Sequence, residues 1–239
     1  MTPLVRILCI IATTVGIGVS LTDPNPLPPS SKEQRTPPTI LGRYLRIAAS
    51  KLPFLKVGYY IVGAAEIATL IAARLPSSDT VRWILSALSK KGAVANLRLT
   101  PFSTVGMILV IAGCLLRIQC FRTMGRFFTF QVSLRDNHQL VTKGPYSVVR
   151  HPGYTGVLGM YIGVVLWYGS RGSWVRESGL LETVLGKAFV GSFASIIMGS
   201  MMALTQRTWE EDKLLRNAFG EKWDEWARRV PYRLIPGIF

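Results

Sequence analysis

Two runs of this chain, Gly153 to Ser170 and Ala188 to Gln206, carry no charge at all. Spanning a bilayer takes about 20 mostly apolar residues, with a range of roughly 17 to 25. A segment in hydrocarbon must satisfy its own backbone groups, and a lone segment does so as a helix. The second run belongs to an apolar block from Leu180 to Gln206, and three more blocks precede the pair: Leu4 to Leu21, Leu52 to Leu75, and Pro101 to Ile118. Phe102 to Leu116 is likewise uncharged, whereas the Leu52 block carries Lys56, Glu66 and Arg74. Its end lysine and arginine can snorkel, but Glu66 is costly in hydrocarbon and must face protein or water. A soluble helical core would not need successive uncharged runs of this length. The expected fold is therefore an all-α integral membrane protein of about five transmembrane helices, with six as the upper count.

The first block could be a signal peptide, with Arg6 ahead of a short apolar core. Ser20-Leu21-Thr22-Asp23-Pro24 is a poor cleavage site, so an uncleaved first span is expected. Formal net charge is +15. The cations sit in the connections rather than on a stripe interleaved with aromatics, which argues for headgroups and cytosolic loops and against nucleic acid. Cys9, Cys114 and Cys120 fall in or near apolar blocks, without the spacing of a disulfide scaffold or a zinc site. Asp23 to Thr39, with six prolines, reads as a flexible connection.

One segment gathers the chemistry. Both histidines, His138 and His151, lie between positions 138 and 156, among Gly144, Pro145, Pro152, Gly153 and Gly156, with Tyr146 and Tyr154 beside them. Glycine and proline fix turns or admit close backbone approach, so this stretch can hold a ligand. A second cluster, Arg207-Thr-Trp-Glu-Glu-Asp-Lys, follows the last apolar block. Arg207 and Glu211 are four apart and share a helix face, either as an ion pair or as a place for a charged group beside an apolar one. Leu215, Phe219, Trp223, Trp226 and Val230 then recur every three or four residues, the pattern of an amphipathic helix ended by Pro231.

In this order, with Phe219-Gly220-Glu221-x-Trp223-x-x-Trp226-x-x-Arg229-Val230-Pro231 closing the series, the motifs resemble those of the isoprenylcysteine carboxyl methyltransferases. The likeness covers the C-terminal half, from Gln131 onward. The element G-x-Y-x-x-x-R-H-P-x-Y-x-G also occurs in related phospholipid and amine methyltransferases and in some membrane sterol reductases that use NADPH. A membrane methyltransferase of phospholipids or amines, a sterol-reductase-like oxidoreductase, and a non-catalytic lipid-binding scaffold are therefore the alternatives. The resemblance implies an enzyme that transfers a methyl group from S-adenosyl-L-methionine to the C-terminal prenylcysteine carboxylate of processed CaaX proteins. It implies a multi-pass protein of the endoplasmic reticulum membrane whose active site faces the cytosol.

The resemblance also assigns roles. Gln131, His138, Gln139, Leu140, Val141, Tyr146, His151, Pro152, Gly153 and Tyr154 would bind the cofactor, while Arg207 and Glu211 would bind substrate and serve catalysis. Residues 1–121 would be N-terminal spans and connections, and 122–239 the catalytic region: cofactor loop, helical hairpin and amphipathic helix. The hairpin's connection, Arg171 to Gly179, would face away from the cytosol. Gln139 falls at a variable position of the family pattern, and Trp209 and Lys213 break the acidic run. The chemistry is plausible on its own terms, since a carboxylate is already ionised near neutral pH and needs no general base. Guanidinium matches that carboxylate in two contacts.

Overall fold

The computed structural model describes residues 3–25, 34–35, 40–130 and 133–239. Gln131 and most of the proline-rich stretch 23–39 lie outside the described residues. The helices are α1 (Pro3–Ser20), α2 (Ile40–Ser50), α3 (Leu52–Ala72), α4 (Asp79–Leu88), α5 (Ala93–Asn96), α6 (Pro101–Met124), α7 (Pro152–Gly169), α8 (Trp174–Glu177), α9 (Val184–Phe219) and α10 (Glu221–Arg229). A two-residue antiparallel pairing joins Gln34–Arg35 to Ser133–Leu134.

Four of these helices, α1, α3, α6 and α9, are long and apolar enough to cross a membrane. The fifth expected span, α7, forms as an uncharged helix of 18 residues but is not among the four. Its five glycines and three tyrosines lower its mean hydropathy. The burial pattern of α1 carries the membrane reading. Arg6, Thr13 and Thr14 are buried, while Leu4, Leu8, Ile11 and Val15 are exposed. A helix that turns its apolar side out and its polar side in is built for a hydrocarbon surround.

The expected amphipathic helix over Leu215 to Val230 is interrupted. Helix α9 continues from the apolar block to Phe219, and Gly220 then takes φ 53, a left-handed conformation that favours glycine. Helix α10 restarts at Glu221 and ends at Arg229, just before Pro231.

The chain divides into two compact units. One comprises Met1–Gly18, Pro53–Ala112 and Gly159–Ile197, and the other Val19–Leu52, Gly113–Leu158 and Met198–Phe239. In the first, a Cβ on Gly163 of α7 would stand 2.6 Å from the Gly106 carbonyl of α6, so these helices meet backbone to backbone. Arg6 of α1 reaches Glu66 of α3, with Nε 2.7 Å and Nη2 2.5 Å from Oε1, and donates to the Gly172 carbonyl at 2.7 Å. Glu66 therefore meets a neighbouring helix and protein rather than lipid. In the second unit, a Cβ on Gly156 would lie 2.7 Å from the Gly113 carbonyl. There Cys120, Phe128, Tyr146, Trp223, Trp226 and Val230 form one buried cluster.

Breaking a buried ion pair from one side leaves an uncompensated charge, at about 3 to 5 kcal/mol, whereas replacing both partners with apolar groups is often neutral. Arg6→Leu should therefore destabilise the protein by that amount in detergent unfolding, and Arg6→Leu with Glu66→Leu should recover most of it. A double variant as unstable as the single would show that α1 and α3 are not held through this pair.

Candidate active site

The polar loop is shaped by its turns. Asn137 takes φ 57 and Gly144 takes φ 62, reversing the chain on either side of Gln139 to Lys143. Pro145 then opens a single 3-10 turn over Gly144–Ser147, which places the Tyr146 ring in the buried cluster. Tyr146 donates its hydroxyl to Met124 Sδ at 2.8 Å. Burial above all pushes its pKa well above the ordinary tyrosine range, so it stays protonated. Pro152, fixed at the φ of a helix start, opens α7 and carries Gly153 and Tyr154 inward.

The C-terminal tail holds this loop in place. The amides of Arg150 and His151 donate to the carbonyls of Tyr232 and Arg233, each at 2.9 Å. Thr155 Oγ1 donates to the Leu234 carbonyl at 2.7 Å, and Trp226 Nε1 donates to the Tyr146 carbonyl at 3.1 Å. The side chains add a charged hub. Asp212, buried on α9, has Oδ1 2.9 Å from His151 Nε2 and accepts from Arg233 Nε at 2.9 Å through Oδ2, with Arg150 Nη2 at 3.5 Å. His151 lies parallel to the Tyr154 ring, at 5.6 Å between centroids and 11° between planes.

One pocket collects most of the residues singled out in the sequence. His138, Leu140, Val141, Tyr146, His151, Gly153, Tyr154 and Glu211 line it, together with Met124, Phe127, Phe128, Leu214, Leu215 and Trp226, among others. Tyr154 donates its hydroxyl to Glu211 Oε2 at 2.5 Å, and Glu211 Oε1 stands 3.9 Å from His151 Nδ1. Burial chiefly lowers the pKa of His138; Arg135 lowers it further and Glu211 opposes it, so the neutral imidazole is favoured. Its Nδ1 is buried without a hydrogen-bond partner among the described residues.

Arg207 lies beside the pocket rather than on its lining. Its guanidinium stands 5.7 Å from the centroid of the Tyr154 ring, and its Nε is buried with no partner among the described residues. No ion pair joins it to Glu211 among those residues: Glu211 is engaged by Tyr154 instead. Gln139 is exposed and Pro152 is buried, both off the pocket lining, and Gln131 lies outside the described residues.

Sequence reasoning missed the hub. Asp212 follows directly after Glu211, but its partner Arg233 is 21 positions away, and no local spacing announces the pair. It also missed Arg117, buried on α6, which donates to the carbonyls of Ser20 at 2.6 Å and Gly153 at 3.3 Å and faces the Phe130 ring at 4.7 Å. The aromatic run Phe127-Phe128-x-Phe130 was the available signal.

Comparison with known proteins bears out the family likeness. The phospholipid methyltransferase family model matches residues 102–176, which include the whole His138 to Tyr154 segment. The chain is 32% identical over 130 residues to a probable protein-S-isoprenylcysteine O-methyltransferase of Oryza sativa subsp. indica, covering 54% of this chain and 58% of that one. It is 38% identical over 130 residues to protein-S-isoprenylcysteine O-methyltransferase A of Arabidopsis thaliana, at 54% and 56% coverage. With the Homo sapiens protein-S-isoprenylcysteine O-methyltransferase it shares 30% over 145 residues, at 59% and 44%. The chain spans about half the length of the curated relatives it matches.

Asp212→Ala should release the tail from the loop. It removes the acceptor shared by His151 and Arg233, and hydrogen bonds to charged groups contribute about 1.5 to 3 kcal/mol each. Hydrogen exchange at the Arg150 and His151 amides should quicken in this variant and stay slow in Glu210→Ala. Unchanged exchange in Asp212→Ala would mean that the backbone contacts alone hold the tail.

Proposed function

We propose that this chain is an S-adenosyl-L-methionine-dependent methyltransferase that converts the C-terminal prenylcysteine carboxylate of processed CaaX proteins to its methyl ester. The observation that carries this reading is Arg207: a cation set over Tyr154 beside the pocket, with a buried N–H that has no partner among the described residues. The names of the relatives point the same way.

The pocket suits the cofactor chemically. Phe127, Phe128, Leu140, Val141 and Trp226 offer the apolar and aromatic surface that an adenine ring needs. The Glu211 carboxylate and the Tyr154 ring suit a positive sulfur, and the orphan His138 Nδ1 suits a polar group. When bound, the cofactor would supply a methyl group on a sulfonium, whose bond to sulfur would break to release a neutral thioether as a carboxylate oxygen bonds to the methyl carbon. No general base would be needed, since an α-carboxyl titrates at about 3.5.

The protein's task is then alignment and water exclusion. Arg207 pairs the substrate carboxylate and fixes its direction. Glu211, by accepting from Tyr154, holds that ring beneath the guanidinium. Asp212 holds His151, which lies parallel to the same ring. Asp212 thus acts through its neighbours as a positioning residue.

A second reading has its own support, because the matching family model is that of phospholipid methyltransferases. An amine nitrogen must lose a proton before it reacts, and a guanidinium at the reacting atom disfavours its charged form. A carboxylate is paired by it directly, so Arg207 favours the carboxylate. The two products separate chemically: a methyl ester releases methanol in alkali and an N-methyl group does not. Labelled methyl appearing as alkali-labile ester on a farnesylcysteine substrate is the expected result, and alkali-stable label on phospholipid would replace the first reading with the second.

Arg207→Lys keeps the charge but cannot make the paired contact. Losing one charged hydrogen bond costs about 1.5 to 3 kcal/mol, or roughly ten- to 150-fold in rate. Esterification should fall by that factor while equilibrium binding of S-adenosyl-L-methionine persists. Near-wild-type turnover would remove Arg207 from the substrate side.

The proposed setting is the endoplasmic reticulum membrane with the site open to the cytosol, where the soluble donor is available. Gln139, in the loop, and Asn217, on the far part of α9, are both exposed. Cysteines placed at Gln139 and Asn217 should both react with an impermeant thiol reagent added from the cytosolic side. Protection of either in sealed microsomes would contradict the shared cytosolic site.

A further inference from the structure

The first compact unit holds an apolar cavity that shares no lining residue with the pocket described above. Tyr59 and Val62 of α3, Val164 and Val165 of α7, and Phe193 of α9 help line it, with Arg176 of α8 at its edge. It opens outward, since Val165 and Ala194, both on its wall, are exposed. Phe193 is packed tightly into α3: a Cβ on Gly58 would stand 2.2 Å from its ring, which also meets Tyr59 edge-on at 5.7 Å. Two polar features interrupt this surface. Tyr59 is buried and its hydroxyl has no hydrogen-bond partner among the described residues. Arg176 is exposed and donates from Nη1 to the Gly169 carbonyl at 3.1 Å, at the end of α7.

We propose that this cavity binds one acyl chain of an anionic phospholipid, with the headgroup on Arg176. Two of its walls, α3 and α9, are long and apolar enough to cross a membrane, so the medium at the opening is hydrocarbon. An open apolar cavity in that medium fills with a lipid chain rather than with water. Arg176 follows the C-terminal end of α7, where a helix in the membrane gives way to its connection, and its guanidinium matches a headgroup phosphate on either side of the membrane. The Tyr59 hydroxyl can donate to an ester carbonyl, which an acyl chain carries and an isoprenoid chain does not. The site stands apart from the methyl-transfer reading and is tested without it.

The full chain is reconstituted with phosphatidylglycerol bearing a photoreactive diazirine on its acyl chain, and with the matching phosphatidylcholine. After irradiation, label is expected on the peptides holding Tyr59–Val62 and Phe189–Ile197, with phosphatidylglycerol preferred. Arg176→Gln should lower phosphatidylglycerol labelling roughly fivefold, the weight of one headgroup-facing cation, toward the phosphatidylcholine level. Ala194→Trp, which narrows the cavity, should lower both. Label confined to other segments, or labelling indifferent to Arg176→Gln, overturns the proposal. So does displacement of the probe by a farnesylcysteine carboxylate, which would make the cavity an isoprenoid site. Arg176 is exposed, so its variant keeps the test decisive even if Ala194→Trp fails to fold.

Discussion

Hydrocarbon on the outside governs how this protein spends its polar groups. A helix whose outer face meets lipid cannot leave a charge or a hydroxyl there, because no water is present to satisfy it. Helix α1 accordingly buries Arg6, Thr13 and Thr14 and exposes Leu8, Ile11 and Val15. The same constraint gives Glu66 a buried partner rather than a surface one. It also explains the glycines. Gly163 against Gly106 in one unit and Gly156 against Gly113 in the other let backbones touch, and close packing replaces the water-driven association that lipid cannot provide.

In the second unit burial within the protein makes a matching demand on charge. Asp212 is a buried acid, and it is tolerable only because His151, Arg233 and Arg150 surround it. That set of contacts ties three distant stretches together: the start of α7, the far part of α9, and the tail after α10. Once they are joined, Glu211 is free to take Tyr154, and Arg207 keeps an N–H without a partner among the described residues. An ion cluster and a cation beside the pocket thus arise from consecutive turns of one helix.

Much of this was legible in the chain. The apolar blocks located α1, α3, α6, α7 and α9, because length and the lack of charge are direct requirements of a membrane span. The His138 to Tyr154 segment announced the pocket, since turn formers and titratable residues together have few structural explanations in so apolar a chain. What stayed hidden was tertiary. The spacing of Arg207 and Glu211 suggested a pair, yet Glu211 goes to Tyr154, 57 positions away. The periodicity from Leu215 to Val230 suggested one helix, but a single glycine at 220 takes a left-handed turn and splits it. Periodicity records which side of a segment is apolar and is silent on a break that preserves that side: Trp223, Trp226 and Val230 still reach the core on the far side of the turn.

The break has a consequence for the site. Had α9 continued without a turn through residues 220 to 230, Trp226 would have been carried along the axis of a long helix, away from the loop. With the turn at Gly220, Trp226 comes back to donate to the Tyr146 carbonyl, and the chain beyond Pro231 lies against Arg150, His151 and Thr155. The residues that read as an amphipathic surface helix therefore form a wall of the pocket and a strap on its loop. The tail's basic residues divide accordingly: Arg233 turns in to Asp212, while Arg228 and Arg229 remain exposed. A run of similar charges in the sequence thus separates into one cation that holds the loop and others left at the surface, and only the fold distinguishes them.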